Sequence, residues 1–205
     1  MHEKKPRVRK SSEERKREIL AAAQSEFARV GYRCTDVQNI ADAVGVGKGT
    51  IYRHFPSKEG LFQAAVTQAL DELKSAVESS VADLSDPLEI LRTALCHYLT
   101  YFAANPDLVE LFIHERAECG QAVKPLYFVR TDREQADWSA LLQQLQAQGR
   151  VRQDHDCEQL SRILGEMLYG AVLSHRLSGS QTSLTEKGPV ILDIFLNGIM
   201  EPDCQ

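Results

Sequence analysis

The segment from Thr35 to Phe62, TDVQNIADAVGVGKGTIYRHFPSKEGLF, sets two short helix patterns around a glycine, then a basic and aromatic cluster, then a new helix start. That order restricts the chain to a small helical unit that holds one helix out from its own core. Thr35 with Gln38 reads as a capping box, in which each side chain satisfies a backbone donor left open at a helix start. Val37, Ile40, Ala41 and Val44 recur at helical spacing and make one apolar face. Gly45 follows, where a left-handed residue can end a helix. Val46 is expected to plug the gap between the helices, and Lys48 to His54 reads as the second of them. A helix-turn-helix inserts that second helix into the DNA major groove while the first crosses the backbone.

The second helix suits close approach to a phosphate backbone. Gly49 has no side chain to hold DNA away, and Lys48, Thr50, Tyr52, Arg53 and His54 supply cationic and hydroxyl donors. Ile51 and Phe55 are expected to face inward. Pro56-Ser57 breaks the chain, and Ser57 caps the next helix. Its open backbone donors, with Lys58 beside them, make a phosphate site. The expected DNA contacts are Thr35, Lys48, Gly49, Thr50, Tyr52, Arg53, His54 and Lys58. Among these, Thr50 and Tyr52 lie nearest the bases with Lys48 close behind.

The string GVGKGTIYRHFPSKEGLF closely resembles the DNA-binding signature of TetR-type (TetR/AcrR family) transcriptional regulators. Ile19 to Tyr32, ILAAAQSEFARVGY, resembles their first helix. Gly47 departs from the pattern, since serine is common there as the cap of the recognition helix. Glycine costs only a few tenths of a kcal/mol at that position. The resemblance implies an all-α fold, with a helix-turn-helix head at residues 1–60 and a helical effector-binding and dimerisation body at residues 61–205. It also implies a homodimeric, ligand-responsive repressor on a palindromic operator, with half-sites about 34–36 Å apart.

The net charge of −5 looks wrong for a DNA binder until it is divided. Residues 1–60 hold 13 Lys+Arg against 8 Asp+Glu, a balance of +5, and the rest of the chain carries −10. A basic head on an acidic body fits a local DNA footprint. Residues 1–10 are expected to be a flexible basic arm in which Arg7, Arg9 and Lys10 reach for phosphates, or a solubilising tail. No signal-peptide or membrane-spanning pattern is present, so a cytoplasmic protein with no membrane partner is expected. Five scattered cysteines without a CxxC pair argue against a disulfide framework or a structural zinc site.

Beyond Leu61 the chain reads as helical. One long helix carries Leu61 to Val77, and others start at Asp86-Pro87 and Asn105-Pro106. Glu118 to Pro125 reads as a loop, and Trp138 to Leu145 marks a helix that closes at Gly149. Helix patterns at Leu160 to His175 and Val190 to Ile199 follow; Ser183 with Glu186 suits a cap for the last helix, while Gly188-Pro189 inside that first turn suggests a later start. The interface with a second copy is assigned to Leu160, Leu164, Leu168, Ala171, Val172, Ile191, Ile194 and Phe195, with Gly165 and Gly170 allowing close approach.

The effector pocket implied by the resemblance has candidate lining residues Tyr98, Tyr101, Phe102, Phe112, His114, Arg116, Tyr127, Phe128, Trp138 and Met167. Its small-molecule effector is unidentified. Two other sensing chemistries compete with it. His114-Glu115 with Cys119, and His155-Asp156-Cys157, offer metal-ligand types at no compact spacing. Cys96 and Cys119 offer a thiol switch. No metal, cofactor or catalytic residue is assigned, because no nucleophile motif or phosphate loop occurs. A helical adaptor with no DNA role would leave the basic head unexplained.

Overall fold

Ser11 opens the first helix with a full capping box. Its hydroxyl accepts from the Glu14 amide at 3.1 Å, and the Glu14 carboxylate accepts from the Ser11 amide at 2.7 Å. The computed structural model describes residues 11–119, 123–179 and 183–199. The basic arm at residues 1–10 and Cys204 lie outside them. The described residues form α1 (Ser12–Cys34), α2 (Val37–Ala43), α3 (Lys48–His54), α4 (Lys58–Val81), α5 (Pro87–Ala104), α6 (Pro106–Glu118), α7 (Leu126–Ala147), α8 (Cys157–Ser178) and α9 (Leu184–Ile199). No strand forms among them, and no helix is long and apolar enough to cross a membrane.

The head packs α1, α2 and α3 around Ile19, Phe27, Ile40 and Ile51, all fully buried. Each such side chain contributes roughly 1.5–3 kcal/mol on burial. Gly45 takes φ 67°, which ends α2 and turns the chain into α3. Gly31 interrupts α1 at φ 80°, ψ 164°, a conformation open almost only to glycine.

The cap of α2 is not the expected one. Asp36, not Thr35, is its N-cap, accepting from the Gln38 amide at 2.8 Å. Thr35 instead closes α1: its amide and hydroxyl both donate to the Gly31 carbonyl, at 3.2 and 2.7 Å. The break at Gly31 leaves that carbonyl open, and a buried acceptor without a partner is costly.

Residue 60 falls inside α4, which runs unbroken from the head into the body. Helix α1 packs against both α4 and α6, so head and body share one apolar cluster. In the body α5 packs on α4 and α9, and α7 packs on α8. Helix α7 starts earlier than its apolar run suggests, and α9 starts at the Ser183 cap rather than later. Helix α7 begins at Leu126, well before Trp138, because its first turn is capped from a distance: Glu115 on α6 accepts from the Leu126 amide at 2.6 Å. Helix α9 begins at Leu184 with Pro189 inside it. Ser183 closes the first turn by accepting from the amides of Thr185 and Glu186, so that turn forms without help from residue 189. The bond that Pro189 cannot donate would have gone to Thr185, an exposed residue where water can replace it. Arg152 donates to the Ile199 carbonyl at 2.8 Å and ties the turn before α8 to the end of α9.

Candidate nucleic-acid interface and effector region

Helix α3 spans only seven residues, so its position depends on tertiary packing rather than propensity. Ile51 and Phe55 anchor it in the head core, as their spacing predicts. Gly47 caps it without a side-chain hydrogen bond. Tyr52 is 40% exposed, so its ring and hydroxyl face away from the head core. Arg53 is also exposed, and one guanidinium nitrogen donates to the Thr50 hydroxyl at 3.2 Å. No atom lies within 4 Å of where a side chain on Gly49 would begin, so the backbone there is open to an approaching surface.

Two of the expected DNA contacts, Lys48 beside the base readers and Lys58 at a phosphate, are held by the protein itself. Lys48 pairs with Asp36 at 2.9 Å, which raises the lysine and lowers the carboxyl from their ordinary values. For Asp36 the larger cause is the Gln38 amide. Lys58 donates to the Arg33 carbonyl at 3.2 Å and sits 4.9 Å over the Tyr32 ring. Ser57 accepts from the Gly60 amide at 2.9 Å and caps α4 as predicted. Lys48, Gly49, Thr50, Tyr52, Arg53, His54 and Lys58 all fall on α3 or the start of α4. Thr35 does not join them: at 4% exposure, with both donors spent on Gly31, it has nothing to offer a phosphate.

The head is tied to the body through α6. A side chain added to Gly31 would begin 3.1 Å from the His114 imidazole, and Arg33 pairs with Glu118 at 2.9 Å.

Several candidate effector residues do converge. Tyr98 lies 4.8 Å from Phe102 between ring centres, Phe102 lies 6.2 Å from Phe112, and Phe112 lies 5.5 Å from Tyr127. The Tyr98 and Tyr127 hydroxyls share a hydrogen bond at 2.7 Å. Burial pushes Tyr127 up to about 12, and raises Tyr98 for the same reason. Phe128 joins the cluster, and so does Tyr169, which sequence reasoning passed over. Tyr169 lies within the apolar run Met167 to Leu173 on α8, where every neighbour is apolar or small and spacing does not single it out.

The other candidates are dispersed. Tyr101 lines a separate groove of about 300 Å³ with Gln24, Leu108 and Leu111. His114 faces Gly31, and exposed Arg116 donates to the Cys119 carbonyl at 3.4 Å. Trp138 and Met167 are half-buried against the core. A second groove, of about 220 Å³, joins Phe102 to Val109, Val172 and His175.

The expected dimer residues divide. Leu160, Leu164, Leu168, Val172 and Phe195 are buried in the protomer's own core, so they are not its outer face. Ala171 and Ile191 are half-buried, and Ile194 is 63% exposed. The outward apolar residues are instead Ile163 and Leu177 on α8, with Val190 and Ile194 on α9. Gly165 and Gly170 meet nothing within 4 Å, which leaves room beside this face. An apolar stripe wider than half the helix circumference serves two surfaces, and spacing alone does not say which edge faces inward.

The two potential metal clusters come apart. Glu115 caps α7 while His114 faces α1, and Asp156 caps α8 while Cys157 is buried beneath it. Among the described residues no group of three His, Cys, Asp or Glu is placed to hold a metal ion.

Residues 19–65 match the model of the N-terminal domain of bacterial regulatory proteins of the tetR family. Over 189 residues the chain is 29% identical to the HTH-type transcriptional repressor KstR2 of Rhodococcus jostii, covering 92% of each chain. The structure of the ketosteroid transcriptional regulator KstR2 of Mycobacterium tuberculosis superposes with a TM-score of 0.70 at 26% identity, over 95% of this chain and 100% of that one. The fatty acid degradation regulator FadR from Bacillus halodurans shares the fold at a TM-score of 0.75 and 21% identity, over 89% of this chain and 98% of that one. With its basic α3 presented on a helix-turn-helix, the chain carries the N-terminal domain of the tetR family of bacterial regulatory proteins and is a DNA-binding transcriptional regulator.

Proposed function

We propose that the protein is a ligand-responsive repressor that binds a palindromic operator as a homodimer. The observation that carries this reading is α3, which exposes Tyr52 and Arg53 on one side while Ile51 locks it to the head on the other. Thr50 and Tyr52 read bases with Lys48 beside them. His54, Arg53 and Lys58 contact phosphates, and Gly49 lets the backbone come close. Lys48 must exchange its Asp36 partner for DNA, so Asp36 opposes non-specific phosphate binding at this position.

Residues 1–60 act as the reading head and residues 61–205 as the effector and dimerisation body. The outward face of Ile163, Leu177, Val190 and Ile194 pairs with its twofold mate, because one seven-residue helix covers too few bases alone. An effector in the body acts through α6, which touches the head at Gly31 and Arg33. It represses or releases only to the extent that it binds the two head spacings with different affinity.

The test is DNA affinity for the chain's own upstream region at two salt concentrations, against scrambled DNA. Tight, selective and salt-dependent binding is expected. Lys58→Ala should lower the salt slope of log affinity by about 0.9 on every sequence, and Thr50→Ala should change sequence preference. Identical behaviour of the two variants would overturn this division of roles.

A further inference from the structure

Glu115 is the one charged residue that the fold buries among those described, at 5% exposure. It lies on α6 three residues after buried Phe112, so the two share a face. Its Oε1 accepts from the Leu126 amide at 2.6 Å and caps α7. Its Oε2 is buried with no hydrogen-bond partner. Burial raises the carboxyl above its ordinary range, and no cation offsets that effect. Neighbouring Arg116 is turned to the Cys119 carbonyl. Capping does not account for a charge here, since a glutamine would offer the Leu126 amide the same acceptor without the cost of a buried carboxylate.

The surroundings suit a positive ligand of low hydration. Tyr127, Phe128 and Tyr169 form a triangle of rings with centres 4.9 to 5.2 Å apart. Phe112 adds a fourth ring 5.5 Å from Tyr127. Phe128 and Tyr169 are half-buried, so the cluster reaches the surface, and burial, then the Glu115 charge, raises the Tyr169 hydroxyl against a smaller opposing effect of Arg116. Ring faces carry negative potential and attract cations, above all quaternary ammonium groups. An inorganic ion would exchange its hydration shell for a single free carboxylate oxygen, far short of the six or more ligands such ions take.

We propose that Glu115 and the rings of Tyr127, Phe128 and Tyr169 bind a monovalent organic cation of the quaternary-ammonium class. The charged group sits against Oε2 and its substituents lie on the ring faces, with Phe128 and Tyr169 turning aside to admit it. Glu115 stands one turn from Glu118, which pairs with Arg33, and next to His114, which faces Gly31, so the occupied site bears on the helix that touches the head. Only this consequence at DNA rests on the ligand-responsive reading above.

The test is calorimetric titration of the full-length protein, without DNA, using phenyltrimethylammonium and its uncharged isostere tert-butylbenzene. The cation should bind at least about tenfold more tightly than the hydrocarbon. Glu115→Gln, which keeps the α7 cap, should lower cation affinity by about tenfold and leave the hydrocarbon unchanged. Tyr169→Leu removes a ring face but not the carboxylate, and it should weaken the cation by a smaller factor, which keeps the proposal testable should the glutamine variant fold poorly. Equal affinity for the two probes, no binding of the cation, or indifference to both substitutions would overturn the site. None of those results would touch operator binding, which the DNA measurement decides separately.

Discussion

Head and body use their apolar residues in opposite ways. In the head, Phe27, Ile40 and Ile51 fill a small core, and the surface beyond them on α3 is polar and basic. In the body, α8 and α9 are apolar inside and out, with Leu164 and Phe195 in the core and Ile163, Val190 and Ile194 facing away from it. A polar outer face can meet a polyanion and dissociate again as salt or a ligand changes. An apolar outer face of this kind is stabilised by being covered, and in the proposed homodimer a second copy covers it. On that proposal the reversible contact belongs to the head and the persistent one to the body.

The comparison is most sharply tested in the cores. Phe27→Ala should cost ~3–5 kcal/mol in chemical denaturation and abolish operator binding with it. In the body, Leu164→Ala should cost ~2–5 kcal/mol whatever the protein concentration. Ile194→Asp should leave far-UV circular dichroism unchanged and convert the dimer to monomer in light scattering. A dimer that survives Ile194→Asp, or falls apart with Leu164→Ala while its protomer stays folded, would invert the two faces.

The junction comes next in size. Gly31→Ala should destabilise by ~1–3 kcal/mol, because its φ of 80° strains any side chain. His114→Ala should relieve only the part due to the close imidazole, and a thermal melt of the double variant separates the two parts.

A pH series tests the buried carboxyl. Burial raises Glu115 above the 4.5 usual for a free carboxyl, so the folded state holds its proton more tightly than the unfolded state. Stability should fall as pH rises from 4.5 through the raised value. Glu115→Gln should remove that loss, so its melting temperature should exceed that of the natural protein at neutral pH and converge with it in acid. The smallest effect is expected at Gly47→Ser. It should stabilise α3 by a few tenths of a kcal/mol, since no atom within 4 Å obstructs the added hydroxymethyl group.

Much of the head was legible in the linear chain. The turn at Gly45, the limits of α3 and the cap at Ser57 all depend on residues within four positions of one another, the range over which local hydrogen bonds act. Thr35 shows where that range fails. Its side chain suits a cap, but it donates to the Gly31 carbonyl instead, and the neighbouring aspartate caps α2.

In the body, helix identity was readable from apolar spacing, and helix orientation was not. The start of α7 depends on Glu115, eleven residues away on another helix. The sorting of Leu164 from Ile163 depends on which side of α8 meets α7. The convergence of Tyr98, Phe112, Tyr127 and Tyr169 brings together rings from four helices. By itself the sequence determined that the chain is all-helical, that its net positive charge is gathered in the first sixty residues, and that α3 is the basic second helix of a helix-turn-helix. Only the tertiary structure decided which apolar faces point inward and that one carboxylate is buried at the start of α7. Hydrogen bonds and caps act between neighbours in sequence, whereas burial depends on what else in the chain competes for the same interior.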